Sequence, residues 1–76
     1  MRVLADIPIA QVVVDRSPMA RTLGLVRHLE AGGTVPPIHV KLLANGRYRI
    51  LDGRHRILAF KLLQRTTITA RYGVAA

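Results

Sequence analysis

Apolar and polar positions alternate at the start of the chain. In RVLADIPI, residues 2–9, the side chains of Val3, Ala5 and Ile7 occupy every second position. This spacing predicts a strand that buries one face. The short apolar run AQVVVD, residues 10–15, predicts either a second strand or a single turn of helix.

The next pattern is helical. A cap residue followed by proline marks a helix start, and Ser17 followed by Pro18 fits this signal. In the segment MARTLGLVRHLEAGG, four side chains lie at helical spacing: Thr22, Leu25, Val26 and Leu29. The pair Gly32 and Gly33 then predicts the end of this first helix.

A hairpin, a second helix and a final strand complete the pattern. Asn45 followed by Gly46 is a strong hairpin signal and predicts antiparallel pairing of residues 38–43 with 47–51. The segment RHRILAFKLLQR predicts a helix that buries Ile57, Ala59, Phe60 and Leu63, and TTITARYGV predicts a strand. The order β–(β)–α–β–β–α–β predicts one α+β domain over residues 1–76, with a mixed sheet of about four strands and two helices.

Charge and composition narrow the function classes. The chain carries ten arginines and two lysines against four acids, a net charge of +8. This excess favours polyanionic partners such as nucleotides, other phosphate anions or nucleic acid. There is no cysteine, which excludes disulfides and a thiol nucleophile. No apolar stretch is long enough for a membrane span or a signal peptide, so we expect a cytoplasmic protein without a membrane partner.

The stretch LDGRHRIL, residues 51–58, collects cations at the predicted start of the second helix. Asp52 is a good N-cap residue, and Gly53 allows a sharp turn. The first turn then carries Arg54, His55 and Arg56. Fixed cations oppose the positive end of the helix dipole, whereas free N–H groups there bind anions. The stretch therefore predicts a phosphate site, and the alternative is a solvated basic turn.

LDGRHRILAFKLL resembles the G-x-H-R or G-E-R-R box of the ParB/sulfiredoxin superfamily. Further segments occur in the family's order, namely TVPPIHV, the hairpin and LQRTTITARYGV. The resemblance covers residues 3–73, essentially the whole chain, and its pattern is most similar to sulfiredoxin. It implies the same small α+β fold.

The resemblance also implies a nucleotide site, for a nucleoside triphosphate such as ATP or CTP with Mg²⁺. The turn that would hold the phosphates is Gly53, Arg54, His55 and Arg56. Two residues of the first helix, Arg21 and His28, match positions that contribute in sulfiredoxin. They lie on one helical face with Gly24, which has no side chain to contribute.

Departures from the family limit what the resemblance implies. Arg54 stands where sulfiredoxin needs its cysteine, so sulfiredoxin activity is excluded. A ParB-type clamp needs a second phosphate motif and a DNA-reading helix-turn-helix, which we do not expect from a chain ending at Ala76. His28, His39 and His55 lack the tight spacing of metal ligands, so no metal site is expected.

Three function classes stay open. The first is a nucleotide-phosphate-binding domain that acts as a switch or a minimal NTPase. The second is a basic DNA-binding module that grips backbone phosphates. The third is an enzyme, a small-molecule kinase or a nuclease, in which Asp52 and Glu30 would be the catalytic carboxylates. A small core and a basic surface also leave homodimerisation open.

Overall fold

Two helices and five strands follow one another along the chain. The computed structural model describes residues 2–14 and 20–73. The strands are β1 (Arg2–Pro8), β2 (Val12–Val13), β3 (Ile38–Leu42), β4 (Tyr48–Asp52) and β5 (Thr67–Gly73). The helices are α1 (Ala20–Glu30) and α2 (Arg54–Leu62), and a short 3₁₀ turn, Ile9–Gln11, joins β1 to β2. Neither described helix is long and apolar enough to cross a membrane.

The strands form one mixed sheet in the order β1-β5-β3-β4-β2. Antiparallel pairing joins β1 to β5 and β3 to β4, whereas β3 pairs with β5 and β2 with β4 in parallel. The predicted α+β class and element order are confirmed. The sheet has five strands instead of about four, because the short run after β1 adds two residues alongside β4.

The alternating pattern of β1 is confirmed. Ile7 is buried and Val3 and Ala5 are half-buried, while the residues between them are exposed. The partners on β5 run in register from Arg2 opposite Gly73 to Pro8 opposite Thr67. The first and last strands of the described chain therefore lie side by side.

The predicted hairpin is also confirmed. The amide of Leu43 donates to the carbonyl of Arg47 at 2.8 Å, and Asn45 Oδ1 accepts from the Arg47 amide at 3.0 Å. Gly46 has a φ of +82°, the left-handed conformation that glycine adopts without a Cβ penalty. The turn holds β3 and β4 together as an antiparallel pair.

The apolar core lies on one face of the sheet. Its buried residues come from every strand except β4 and from α2: Ile7, Ile9, Val12, Ile38, Val40, Ile57, Ile68 and Ala70. The rings of Tyr48 and Tyr72 pack edge to face on this core, with centroids 5.4 Å apart. On α2 the buried residues are Ile57, Leu58 and Ala59, so the predicted set missed Leu58. Phe60 and the C-cap residue Leu63, which were predicted to be buried, are half-buried.

The start of α2 differs from the sequence prediction, and the start of α1 is not tested. The start predicted at Ser17 and Pro18 lies outside the described residues. Asp52 was predicted to cap α2, and this prediction is wrong, because Asp52 is the last residue of β4. The N-cap position is Gly53, with a φ of +103°, and no side chain caps the helix. A Cβ at Gly53 would stand 2.6 Å from Cγ2 of Ile38, so only glycine fits this corner.

Two glycine substitutions test this account. Gly53→Ala should lower the free energy of unfolding by about 2 kcal/mol or more, because it combines a left-handed φ with a clash against a buried strand. Gly24→Ala, in the exposed middle of α1 with no atom within 4 Å of the new Cβ, should raise it by about 0.5–1 kcal/mol. Urea unfolding measures both. Equal effects of the two substitutions would contradict the packing account.

Candidate functional site

A β-bulge shapes the corner where β4 meets α2. The pairing of β3 with β4 shifts register between His39 and Val40, so that Leu51 is the extra residue opposite His39. A bulge bends its strand and re-aims the side chains around it. The chain then turns at Gly53 into α2. The end of the strand and the first turn of the helix thus present their side chains at one corner.

A cavity of about 460 Å³ opens at this corner. Its volume lies within the range of about 300–1,000 Å³ that is typical of small-molecule sites. Helix α1 contributes Arg21 and Leu25 to the lining. The segment from β4 into α2 contributes the others: Ile50, Leu51, Asp52, Gly53, Arg54, His55 and Arg56. The structure therefore brings Arg21 together with the predicted 53–56 turn.

The charges around the cavity are mostly positive. Arg21, Arg54 and Arg56 line it together with His55, and Asp52 is the one acid among the lining residues. The first turn of α2 has no acidic residue and no side-chain cap. The partial positive charge of the helix N-terminus therefore adds to the guanidinium charges instead of being offset by a carboxylate.

His55 links α2 to α1. Its Nδ1 lies 3.1 Å from Oγ1 of Thr22, a hydrogen-bonding distance. Thr22 is fully buried, so this contact holds the two helices together at the wall of the cavity. Thr22 was not among the predicted site residues. The available signal was a polar residue at a buried position of the helical pattern, where a hydroxyl needs a partner.

Arg56 is partly committed to the fold. Its Nη1 donates to the carbonyl oxygen of Pro37 at 3.1 Å, just ahead of β3. The guanidinium has five N–H donors, so one such bond leaves others for a ligand. Arg56 is half-buried, whereas Arg54 is exposed. The two arginines therefore differ in how strongly the fold holds them.

His28 does not line the cavity. Its Nε2 donates to the carbonyl oxygen of Thr34 at 2.8 Å, and its ring lies over Gly33, where any Cβ would clash with it. The contact closes the loop that follows α1. Arg21 and His28 both lie on α1, but only Arg21 lines the cavity, because the C-terminal end of the helix packs against this loop.

The two carboxylates considered for catalysis are separated. Asp52 lines the cavity, while Glu30 is the exposed last residue of α1. Arg21 and Glu30 stand nine positions apart on one helix, about 13 Å along its axis. Within residues 2–14 and 20–73, no three His, Asp or Glu side chains group as metal ligands.

A larger cavity, of about 540 Å³, lies between the C-terminal ends of the helices and the start of β5. Its charged lining residues are Asp6 and Arg65. The guanidinium of Arg65 lies 4.9 Å from the ring centre of Phe60. Because only one arginine and one acid are among its lining residues, this cavity is much less suited to an anion than the corner at Gly53.

Comparison with known protein families shows the family to which the chain belongs. The model of the ParB N-terminal domain matches residues 7–74. The chain belongs to the ParB N-terminal domain family. This confirms the superfamily predicted from the 51–63 segment. No match was found among curated proteins.

Solved structures of the superfamily share the fold of this ParB N-terminal domain. Sulfiredoxin from Arabidopsis thaliana aligns with a TM-score of 0.79 at 22% identity, over 96% of this chain and 86% of that one. C-terminally truncated SbnI from Staphylococcus aureus aligns with a TM-score of 0.80 at 23% identity, over 93% of this chain. C-terminally truncated ParB from Caulobacter crescentus, complexed with CTP-gamma-S, aligns with a TM-score of 0.77 at 18% identity, over 97% of this chain.

The lengths of these relatives differ. The chain covers most of the plant sulfiredoxin but spans 30% of the SbnI chain and 46% of the ParB chain. At these identities the likeness concerns the fold.

The contact between Thr22 and His55 can be tested by Thr22→Val, which keeps the shape of the side chain and removes the hydroxyl. We expect the free energy of unfolding to fall by about 1–2 kcal/mol, because partly buried groups lose a hydrogen-bond partner. Thr67→Val, at an exposed position of β5, should change it by less than about 0.5 kcal/mol. Urea unfolding of both variants measures the difference, and a neutral Thr22→Val would show that the contact adds no stability.

Proposed function

We propose that this ParB N-terminal domain binds a nucleoside triphosphate, with its phosphates over the N-terminus of α2. The observation that carries the proposal is the uncapped first turn of α2 inside a cavity lined by three arginines. Such a surplus of cations at a helix start disfavours the helix unless an anion is present. A phosphate group offsets this positive charge, and it accepts hydrogen bonds both from the free backbone N–H groups and from the guanidinium groups.

Each lining residue has a distinct part in this proposal. Arg54 is exposed and supplies a mobile guanidinium to the phosphates. Arg56, bonded to the Pro37 carbonyl, supplies its remaining donors from a held position. Arg21 reaches the same cavity from α1, and His55 is positioned by Thr22. Leu25 and Ile50 give the apolar surface on which the rest of a nucleotide could lie.

In this proposal, Mg²⁺ binds together with the nucleotide. Mg²⁺ is usually held by one or two carboxylates, waters and substrate phosphates. Asp52 is the only acid lining the cavity, so it is the residue that would hold the ion beside the phosphates. One carboxylate fits an ion that arrives with a nucleotide and does not fit a resident metal centre.

One structural relative supports testing CTP as well as ATP. The Caulobacter ParB structure contains CTP-gamma-S, so CTP stands beside ATP as the ligand to test first. Binding that changes the conformation without turnover would make the domain a switch. Hydrolysis would make it a minimal NTPase, and that activity would need Asp52 to act on water or on the ion.

Removing one guanidinium tests the site. Arg54→Ala should weaken ATP or CTP binding by about tenfold to a hundredfold, since it removes charge-assisted hydrogen bonds to phosphate. Arg54 is a better residue to replace than Arg56, because Arg56 also donates a hydrogen bond to the Pro37 carbonyl and its loss could disturb the fold. Isothermal titration calorimetry measures the affinity, and the thermal midpoint checks that the fold persists.

Arg47→Ala is the matched control, because Arg47 is exposed in the hairpin and away from the cavity. It should leave nucleotide affinity within about twofold. An equal loss for both variants would show a diffuse basic surface. The same titration with a DNA oligonucleotide, at low and moderate salt, tests the DNA-binding alternative. Binding to DNA alone, falling steeply with salt, would replace the nucleotide proposal.

The part assigned to Asp52 predicts a change in magnesium dependence. Nucleotide affinity of the unaltered protein should be higher with Mg²⁺ than with a chelator, and Asp52→Asn should reduce that ratio by about tenfold. Glu30→Gln removes the same charge outside the cavity and should leave the ratio unchanged. Calorimetric titrations with and without the ion measure it. An unchanged ratio in Asp52→Asn would exclude the carboxylate as a magnesium ligand.

A further inference from the structure

The strand β1 lies at one edge of the sheet. It pairs with β5 on one side, and within the described residues no strand pairs with its other side. An edge strand presents unpaired N–H and C=O groups that can pair with another strand. The other edge, β2, has only two residues and offers little to pair with.

The register of β1 shows which of its backbone groups face outward. The amide of Ile9 donates to the carbonyl of Thr66 at 2.9 Å, which continues the β1–β5 register by one pair. In an antiparallel ladder, hydrogen-bonded pairs alternate with non-bonded ones. Residue 9 belongs to a hydrogen-bonded pair, so the backbone groups of the odd-numbered residues of β1 bond to β5. The N–H and C=O groups of Arg2, Leu4 and Asp6 therefore point to the open edge.

The side chains at these same three positions are exposed on the sheet face away from the core. Leu4 is 58% exposed, a large apolar side chain in the middle of the strand. It is flanked by one cation, Arg2, and one anion, Asp6. Asp6 Oδ1 accepts a hydrogen bond from the Thr69 hydroxyl, which leaves its second carboxylate oxygen for another donor.

This pattern is complementary to itself. We propose that β1 pairs antiparallel with β1 of a second copy of this chain, about a two-fold axis at Leu4. Each Leu4 then packs against the other, and each Arg2 lies opposite the partner copy's aspartate at position 6. All three outward-facing positions exchange N–H···O=C bonds with the facing strand. The two five-stranded sheets join into one.

Other registers are less favourable. A shift of two residues one way opposes Leu4 to Asp6 and Arg2 to Pro8, which has no N–H to donate. A shift of two residues the other way opposes Arg2 to Leu4, so that no Arg2 faces an Asp6. An odd shift pairs an outward-facing residue with one that bonds to β5. Parallel pairing in register sets like charges side by side, which is destabilising.

The pairing would leave the corner at Gly53 accessible. β1 lies at one end of the strand order, and β4, which leads into the cavity, is separated from it by β5 and β3. Self-association and nucleotide binding are therefore separate properties, and an experiment that excludes one of them does not exclude the other.

A charge exchange between two variants tests the register. Arg2→Asp places aspartate against aspartate in a homodimer, and Asp6→Arg places arginine against arginine. Each variant alone should dimerise at least about tenfold more weakly than the unaltered protein. A mixture of the two restores both opposite-charge pairs and should form a dimer with one copy of each. The double variant R2D/D6R should dimerise like the unaltered protein.

Sedimentation velocity from about 10 µM to 1 mM in low salt measures association, because a short edge contact is expected to be weak. Native mass spectrometry identifies the mixed dimer by the mass difference between the variants. Arg47→Asp, the same charge change in the hairpin, should dimerise normally. Circular dichroism checks that Asp6→Arg and the double variant keep their fold without the Thr69 bond. If they do not, Arg2→Asp, which keeps Asp6, carries the test against the unaltered protein and Arg47→Asp.

The expected result is a dimer of the unaltered protein, weak association of each single variant and recovery in the mixture or the double variant. An unaltered protein that stays monomeric up to about 1 mM would overturn the proposal. So would single variants that dimerise as well as the unaltered protein, because the contact would then lie elsewhere. A mixture and a double variant that both stay monomeric would equally exclude this register.

Discussion

The close packing of Gly53 against Ile38 determines where α2 begins, and the corner above the sheet depends on it. Ile38 is fully buried on the central strand β3, and the left-handed turn at Gly53 leaves no room for a side chain. The first turn of α2 is therefore held against the sheet end. Because Thr22 of α1 contacts His55 in that turn, α1 is positioned by the same constraint, and Arg21 reaches the cavity from there.

This arrangement has an electrostatic consequence. The helix start carries arginines and lacks a side-chain cap, so its charges favour an anion more than they favour the helix. A ligand that binds only the folded state adds its binding free energy to stability. With the proposed phosphate ligand, the corner would exchange some intrinsic stability of the ligand-free domain for affinity, a trade-off that is common at binding sites. The bond between Arg56 and Pro37 limits this loss by holding one guanidinium in place.

Local signals predicted most of the fold. The alternation in β1 and the Asn45-Gly46 turn act over a few residues, and both correctly predicted their strands. The strand β2 was left ambiguous because its two residues become a strand only by pairing with the distant β4. The capping role of Asp52 was wrong because a bulge, set by the partner strand, keeps this residue in β4.

For the candidate site, the sequence brought the 53–56 turn and Arg21 into one hypothesis, and they line one cavity. His28 was predicted to join this site but contacts the loop after α1 instead. Helical spacing shows which residues share a face, but it does not show which part of the protein that face contacts. The pairing of β1 with β5 has a consequence for biosynthesis. Arg2 pairs with Gly73, so β1 cannot pair with β5 on the ribosome until β5 has emerged. Because contacts between distant residues form slowly, we expect β1 to be the last described strand to join the sheet.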